Sequence, residues 1–323
     1  MDNVSLLQKA DLTIADLSSN GGLLLPEQGA TFIRKLIKQS TLLPQVRTVE
    51  MNASTRKINK IQFASRILRA AVSGQAPSAG QRSKPTTEQI QLNTKEVIAV
   101  VYLPYDVIED NIERAITANN EASNDGPGAF RNTIIELIAE RAASDLEEGL
   151  LMGDSTYVNG GDADDQAYIR LWEGYLKRAA VGGNVVDAGN ATVAKELFKS
   201  GMKALPVQYQ KNIPNMKHFI SMNNEIEYRD TLANRGTSMG DSFTTGQAAA
   251  YAYASKVEGI QYMPGDKGLY TNPLNLIFGI QRQVSMEFDK DIEARVYKIV
   301  LTARVDCQVE EDDAVVYYQN IAA

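Results

Sequence analysis

A serine nucleophile could lie in Gly153-Asp154-Ser155 if a later Asp-x-x-His supplied the catalytic base. The chain has one histidine, His218, and the residue three positions before it is Asn215. The catalytic set is therefore incomplete, and we interpret the block as a helix end followed by a polar turn. The residues around Cys307 do not support a Cys–His pair with His218 either. An enzyme is thus not expected, and an unrecognised hydrolase stays only as an alternative.

Three aspartates, Asp162, Asp164 and Asp165, look like a fragment of a calcium loop. That loop needs Gly at its sixth position and Glu at its twelfth. The residues here are Ala167 and Glu173, so only the Glu fits. A single Cys and a single His cannot build a zinc site, and no glycine-rich phosphate loop is present. We expect no metal and no cofactor.

The composition is that of an ordinary globular protein, with 323 residues, 44% of them hydrophobic and a net charge of −7. The length predicts about two domains. The single Cys excludes an intrachain disulfide, and the first ten residues lack the pattern of a signal peptide. No apolar run is long enough for a membrane helix. We therefore expect a soluble protein made in a reducing cytoplasm, with no membrane partner.

The strongest helix signal runs from Ala129 to Met152, after which Gly153 ends it. The apolar face of this spine helix is predicted at three- and four-residue steps and the charged residues on the other face. The predicted apolar face comprises Ile134, Ile135, Ile138, Ala142, Leu146 and Leu150. The predicted polar face comprises Glu136, Glu140, Arg141, Asp145, Glu147 and Glu148.

Helices and long strands follow one another without strict alternation, which predicts an α+β fold. The predicted helices are Thr192–Leu205 and Asn224–Asn234, the second with Asn224 and Glu227 at the spacing of a helix cap. The predicted strands are His218–Met222, Leu274–Ile280, Val296–Val309 and Ala314–Tyr318. An earlier helix, Glu27–Leu42, is predicted within an N-terminal arm of residues 1–45.

Positive charge is concentrated between Met51 and Lys95, where eight basic side chains and only Glu88 give +7, so the other residues sum to −14. This segment also reads as two strands around a polar tip, Ser73–Pro85, which predicts an extended hairpin over residues 46–104. Phe63 is its one aromatic residue before the second strand, so nucleic acid is a weaker partner than protein. We interpret the hairpin as an arm that lies on a neighbouring copy of the chain.

The order of arm, basic hairpin, spine helix, second α+β region and returning strands resembles the major capsid proteins of tailed bacteriophages, which have the Hong Kong 97-type fold. Arg304-Val305-Asp306 and Asp313-Ala314-Val315-Val316 look like the closing strands of that family. The resemblance covers nearly the whole chain and rests on the joint occurrence of loose patterns.

The resemblance implies four parts, beginning with an N-terminal arm of residues 1–45 and an extended loop of residues 46–104. A peripheral domain would hold residues 105–188 and 283–311, with the spine at 129–153. An axial domain would hold residues 189–282 and 312–323.

The resemblance also implies self-assembly as hexamers and pentamers into an icosahedral shell that encloses double-stranded DNA without sequence specificity. The shell would be part of the virion and be assembled in the cytoplasm of the host bacterium. The implied partners are a portal, a separate scaffolding protein and, in some members, a decoration protein. A separate scaffolding protein is expected because only about 20 residues precede Gly21, where the part of the arm that resembles the family begins. No loop lysine matches the crosslinking lysine of the prototype, so no covalent crosslink is expected.

Charge complementarity then selects the residues expected to make contacts between subunits. On the extended loop these are Arg56, Lys57, Lys60, Arg66, Arg69, Arg82 and Lys84. Their candidate acidic partners are Glu310, Glu311, Asp312 and Asp313. An encapsulin, the shell protein of a bacterial compartment, shares this fold and is the alternative function.

Overall fold

The computed structural model describes residues 40–63, 66–68, 70, 78, 84–104, 127–158, 162–234, 249–281 and 285–322. The helices are α1 Pro127–Met152, α2 Ala163–Ile169, α3 Tyr175–Gly182, α4 Lys195–Ala204, α5 Val207–Gln210 and α6 Met222–Ala233. The strands before the third helix are β1 Arg47–Met51, β2 Thr55–Gln62, β3 Thr86–Asn93 and β4 Lys95–Pro104. The later strands are β5 Asn184–Asp187, β6 Lys217–Ser221, β7 Tyr251–Ala252, β8 Ser255–Ile260, β9 Gly268–Thr271, β10 Leu276–Gln281, β11 Ser285–Asp291, β12 Val296–Val309 and β13 Val316–Gln319. Short 3-10 turns lie at Ile213–Asn215, Pro273–Asn275 and Asp312–Ala314.

Strand β12 organises a five-stranded sheet. Its residues 296–305 pair antiparallel with β4. Its residues 296–302 also pair with β11 and its residues 305–309 with β10, while β1 pairs parallel with β10. The predicted bounds of this strand, Val296–Val309, are confirmed.

Alternate side chains of β12 define the two faces of the sheet. On the face that we call inward, Ile299, Leu301, Val305 and Cys307 are buried in the main core. Helix α1 packs in the same core through side chains such as Leu150. The inward face of the sheet and the spine helix therefore stabilise each other by excluding water from a shared apolar surface.

Helix α1 confirms the predicted spine, although the buried stripe is displaced by one residue in its middle. Ala139 and Ala143 are buried, together with Leu146 and Leu150, whereas Ile138 and Ala142 are only partly buried. The four buried positions are separated by four, three and four residues, as a helix face requires. Nothing is described of the side chains of Ile134, Ile135 and Glu136.

A six-stranded sheet in the order β5-β13-β9-β6-β8-β7 forms the second half of the structure. A second apolar cluster lies on it, with Phe198 of α4 and Tyr318 of β13 among its members. Strand β5 lies in this sheet and β10 in the other one. Strand β5 was expected in the peripheral part, up to residue 188, and β10 in the axial part, up to residue 282. Each pairs instead with strands of the other part, because sheet partners and not chain order decide where a strand lies.

The two-stranded hairpin is shorter than the predicted segment 46–104. Only β2 and β3 pair with each other, in a register that sets Ile58 opposite Ile90. The flanking strands β1 and β4 pair with β10 and β12 in the five-stranded sheet. Thr94 alone separates β3 from β4, so one apparent strand of the sequence serves two sheets.

Helix α6 begins two residues earlier than predicted. Its N-cap is Ser221, whose hydroxyl accepts a hydrogen bond from the Asn224 backbone N–H at 3.2 Å. Asn224 is therefore inside the first turn rather than at the cap, and its amide Nδ2 donates to the carbonyl of Gly265. Residues 27–39 of the predicted helix 27–42, with most of the N-terminal arm, lie outside the described residues, and residues 40–42 are bends rather than helix.

His218 is a core residue of the six-stranded sheet. Its ring stacks on Tyr270 with centroids 4.1 Å apart, and Phe198 lies 4.5 Å away. Its Nδ1 lies 3.1 Å from the Tyr318 hydroxyl. Burial lowers the pKa of His218 to about 3, so the folded protein keeps the ring neutral.

This buried ring should make the protein acid-sensitive. Between its unfolded pKa of about 6.5 and its folded pKa, the unfolded chain binds one more proton. The free energy of unfolding is then fully supported above pH 6.5 and falls by about 1.4 kcal/mol per unit as the pH drops toward 3. His218→Phe keeps an aromatic ring and should remove this slope. Urea unfolding at pH 6 to 4 measures it, and equal slopes for the two proteins would contradict the assignment.

Candidate assembly interface

The basic side chains of the hairpin divide between its two faces. On β2, the backbone alternation puts Arg56 and Lys60 on the face toward the body and Lys57 on the other. Arg56 donates from Nη1 to the Glu50 carbonyl oxygen at 2.6 Å. Lys57 is exposed. One face of the hairpin therefore places its basic side chains against the same chain, and the other face presents Lys57 to solvent.

Past the strands, the structure describes only part of the predicted basic tip. Arg66 and Lys84 are exposed. Arg69 and Arg82 lie outside the described residues. Contact of these four side chains with a neighbouring subunit stays a prediction.

The acidic run after β12 is partly engaged with the same chain's own hairpin. The Lys60 ammonium lies 2.7 Å from Glu311 and 3.5 Å from Glu88. Arg47 on β1 pairs with Glu310 at 3.0 Å. Asp312 and Asp313 are exposed. The sequence predicted contacts of these basic and acidic groups between copies. The structure brings one predicted pair, Lys60 and Glu311, together within one copy, and Arg47 was not among the predicted basic residues.

Glu311 joins three parts of the chain. Besides Lys60, it accepts a hydrogen bond at 2.6 Å from the hydroxyl of Tyr209 on α5. Burial lowers the pKa of Lys60, but the hydrogen bond and charge of Glu311, with Glu88, outweigh burial and raise it above its usual value. Burial and the nearby Glu311 carboxylate raise the pKa of Tyr209 to about 12. Both groups are protonated at neutral pH and therefore donate to the Glu311 carboxylate.

Asn275 fixes the backbone of the acidic run, and sequence patterns did not single it out. Its carbonyl accepts from Glu310 N–H at 2.9 Å, and its Oδ1 accepts from Glu311 N–H at 2.8 Å. Its Nδ2 donates to the Glu311 carbonyl at 3.0 Å. The side chain is buried, so the amide holds the turn in a fixed conformation.

A cleft of about 940 Å³ lies between the hairpin and the body. Its charged lining includes Lys60, Glu88, Glu173, Lys177, Arg178 and Glu311. The mixture of charges gives no nucleophile–base pair that matches a catalytic pattern. The described part of the chain has no group of three His, Cys, Asp or Glu side chains placed to hold a metal ion. Among the helices that the structure describes, none is long and apolar enough to cross a membrane.

The residues that first suggested chemistry have structural partners. The Asp154 carboxylate accepts hydrogen bonds from the N–H and hydroxyl groups of Thr156, and it forms an ion pair with Lys177 at 3.0 Å. The Ser155 hydroxyl donates to Glu173, not to His218. This agrees with the interpretation of the block as a polar turn.

The fragment that resembled a calcium loop starts a helix. The Asp162 carboxylate accepts from the N–H groups of Asp164 and Asp165 at 2.9 and 3.3 Å, as the N-cap of α2. Negative charge at this end also suits the helix dipole. Capping therefore explains why acidic residues cluster here.

Glu147 departs from its predicted place on the polar face of the spine helix. It is 1% exposed, and its carboxylate accepts from the N–H groups of Thr41 and Leu42 at 2.6 and 3.1 Å. The Thr41 hydroxyl donates to it as well. The buried carboxylate thus ties the end of the N-terminal arm to α1, through backbone donors that no residue pattern reveals.

Asp306 anchors the hairpin to the long strand. Its Oδ2 accepts from the Asn93 N–H at 2.6 Å, and its Oδ1 from the Cys307 N–H at 2.8 Å. Burial is the larger effect and raises the Asp306 pKa despite these hydrogen bonds. The Asp of the Arg304-Val305-Asp306 motif therefore binds the backbone where the chain passes from hairpin to sheet.

Comparison with known proteins identifies the family. The chain is 37% identical over 327 residues to the Bacillus subtilis (strain 168) protein YqbE, which is named a prophage capsid protein, with 98% of this chain and 97% of YqbE covered. No family model matches the chain. It therefore belongs to the same family as YqbE, the capsid proteins of phages and prophages.

Solved structures confirm the fold class. The chain in the procapsid of satellite phage P4 matches with a TM-score of 0.69 at 13% identity, covering 99% of this chain and 98% of that one. The capsid of an empty GTA particle matches with a TM-score of 0.56 at 13% identity over 88% and 90% of the two chains. The protein has the Hong Kong 97-like fold of such capsids, as the resemblance implied.

The link between Lys60 and Glu311 can be measured by a double-mutant cycle. For a partly buried pair with two further hydrogen-bonding neighbours, we expect a coupling of about 1 kcal/mol between Lys60→Gln and Glu311→Gln in urea unfolding. Lys57→Gln, on the other face of β2, is the matched control and should show no coupling to Glu311→Gln. A coupling for Lys60 no larger than for Lys57 would show that the pair does not hold the hairpin.

Proposed function

We propose that this protein is the major capsid protein of a tailed bacteriophage or prophage, which assembles as hexamers and pentamers into an icosahedral shell around double-stranded DNA. The observation that carries this proposal is 37% identity to a protein named a prophage capsid protein across 98% of the chain. The same relationship favours the phage shell over the encapsulin alternative.

The exposed hairpin supports self-assembly on physical grounds. An isolated two-stranded hairpin is marginally stable in water. Among the described strands, β2 and β3 pair only with each other, and Lys57 and Ile61 face away from the body. A neighbouring subunit can supply the missing support. Weak contacts of this kind, repeated over a closed shell, give a stable particle whose single contacts stay reversible.

The charge distribution supports the proposed partners, which are other copies of the chain and the enclosed duplex DNA. The hairpin segment is strongly basic and the rest of the chain acidic, so copies attract each other at complementary surfaces. An acidic body binds duplex DNA weakly, which suits a container that holds its genome without reading it. We infer a portal at one vertex, a scaffolding protein during assembly and a place for a decoration protein from family membership.

The two sheets support a division into peripheral and axial parts. The five-stranded sheet with the spine helix corresponds to the peripheral domain, and the six-stranded sheet to the axial domain that surrounds the symmetry axes. The mature protein would be in the virion, after assembly in the host cytoplasm. Its role is structural rather than enzymatic.

Electron microscopy tests the proposal directly. Negative-stain images of the purified full-length protein should show closed shells with angular outlines. A preparation that stays monomeric over a wide range of protein and salt concentrations, or that forms open filaments, would contradict it. Hydrolase activity in a monomeric fraction would instead favour the enzyme alternative.

Charge reversal tests the basic loop. We expect substitution of Arg66, Arg69, Arg82 and Lys84 by Glu to abolish shells while leaving folded, soluble subunits, because like charges would then face each other between copies. Lys195→Glu and Lys199→Glu on α4 are control reversals outside the loop. Circular dichroism checks folding and sedimentation measures assembly. Shells that form normally from the loop variant would rule out this contact.

A further inference from the structure

Helix α4 carries a row of three lysines. Lys195, Lys199 and Lys203 recur every four residues, so they lie along one side of the helix, and all three are exposed. Lys195 lies 3.8 Å from Glu196, whereas Lys199 and Lys203 form no ion pair with the residues that the structure describes. Outside residues 51–95 the charge of the chain sums to −14. The lysine row is therefore a local concentration of positive charge on an acidic body.

The lysine row lies on the far side of the six-stranded sheet from the hairpin. Neighbouring residues of a strand face opposite sides of its sheet. Tyr317 of β13 packs in the main core with Leu176 of α3, and Tyr318 packs in the second apolar cluster with Phe198 of α4. Helices α3 and α4 therefore cover opposite faces of this sheet. Because α3 also lines the cleft beside the hairpin, through Lys177, the row faces away from both the cleft and the hairpin.

The outer side of α4 differs in composition from that of α6, which covers the same face of the sheet. Met222 and Ile226 of α6 are exposed apolar side chains. The exposed side chains of α4 are all polar: Lys195, Glu196, Lys199, Ser200 and Lys203. Contacts between proteins have an apolar core, and this surface offers none. A basic stripe along a helix is instead the electrostatic footprint of a nucleic-acid contact.

The chemistry of the row suits duplex DNA in particular. From Lys195 to Lys203 the row spans about 12 Å, at 1.5 Å per residue. Duplex DNA carries about one negative charge per 1.7 Å of its axis, so a row of this length meets phosphates wherever the duplex lies on it. Lysine ammonium groups pair with phosphates as point charges and do not read bases. Single strands are usually held by stacking on aromatic side chains, and the one aromatic residue of α4, Phe198, is buried.

We infer that Lys195, Lys199 and Lys203 of α4 face the interior of the shell and contact the phosphates of the enclosed duplex DNA. This inference rests on the proposed function and names the surface of the subunit that meets the genome. Three charges in each subunit give a weak contact, and repetition over the shell adds such contacts together. Weak contacts with phosphates also let the duplex slide along the surface. Because the row is not a contact between copies, shells should still form when its charge is removed.

The placement of the row inside the shell is tested with a single thiol in Lys199→Cys. The native Cys307 is fully buried and stays unreactive. In intact empty shells, the new thiol should react with N-ethylmaleimide, which is small enough to diffuse through openings in a protein shell. It should react with a maleimide on a long polyethylene glycol chain only after the shells are dissociated.

The matched control for this placement is Val181→Cys, at an exposed valine of α3 on the other side of the sheet. This thiol should react with both reagents in intact shells. Reaction of Lys199→Cys with the long reagent at the same rate as Val181→Cys would overturn the inward placement. Reaction of Lys199→Cys with neither reagent in intact shells would mean that it is buried between copies, which would also overturn it.

The contact with DNA is tested by removing the three charges together, in Lys195→Gln, Lys199→Gln and Lys203→Gln. Binding of the purified full-length protein to a labelled duplex of random sequence is measured by fluorescence anisotropy over a range of salt concentrations. The slope of log affinity against log salt should fall by about 2.7, which is 0.9 for each of three lost phosphate contacts.

The matched control removes three exposed arginines that are scattered over other elements, Arg141→Gln, Arg170→Gln and Arg295→Gln. It should lower the salt slope much less than the lysine variant. Equal slopes for the two variants would overturn the DNA contact while leaving the capsid function intact. A lysine variant that is folded by circular dichroism but forms no shells would assign the row to a contact between copies and also overturn it. Wild-type protein that forms no shells would instead overturn the proposed function, whereas the salt slopes would still show whether the row binds duplex DNA.

Discussion

One edge of strand β12 pairs with β4, the other with β11 and then β10, and its inward side chains pack in one core with helix α1. This strand is fourteen residues long, about 45 Å, so it spans the full length of its sheet. At its end, the turn at Asp312–Ala314 leads straight into β13 of the second sheet. The burial of one row of side chains therefore sets the direction of the spine helix, the place of β4 and the relation between the two sheets. A charged residue in that row would disturb all three at once.

The hairpin depends on the same strand for its direction. Asp306 accepts the Asn93 N–H where the hairpin starts, and Glu311 holds Lys60 further along. These two carboxylates are five residues apart, on β12 and on the turn that follows it. Between them the hairpin base packs on the sheet through Leu92. A hairpin base that is already held in this way loses less conformational entropy when a neighbour binds to it.

Sequence patterns predicted the elements whose side chains repeat with a clear period. Val296–Val309 alternates between buried and partly exposed residues, so its bounds could be predicted. Strand pairing could not, because the residues of β1 and β4 have the same strand character whether they extend a hairpin or join a larger sheet. Glu147 was misplaced for a related reason. A carboxylate on a helix is normally solvated, and only the distant N–H groups of Thr41 and Leu42 make its burial favourable.

At the candidate interface, the net charge of a segment does not show which charged side chains pair with each other. The charge count set a basic hairpin apart from an acidic body, but it could not tell that Glu311 pairs with the hairpin of its own chain and Glu310 with Arg47 on β1. Pairs within one chain contribute the same charge to the total as pairs between chains. Long-range charge attraction brings copies together without fixing their register, whereas apolar side chains act only at contact.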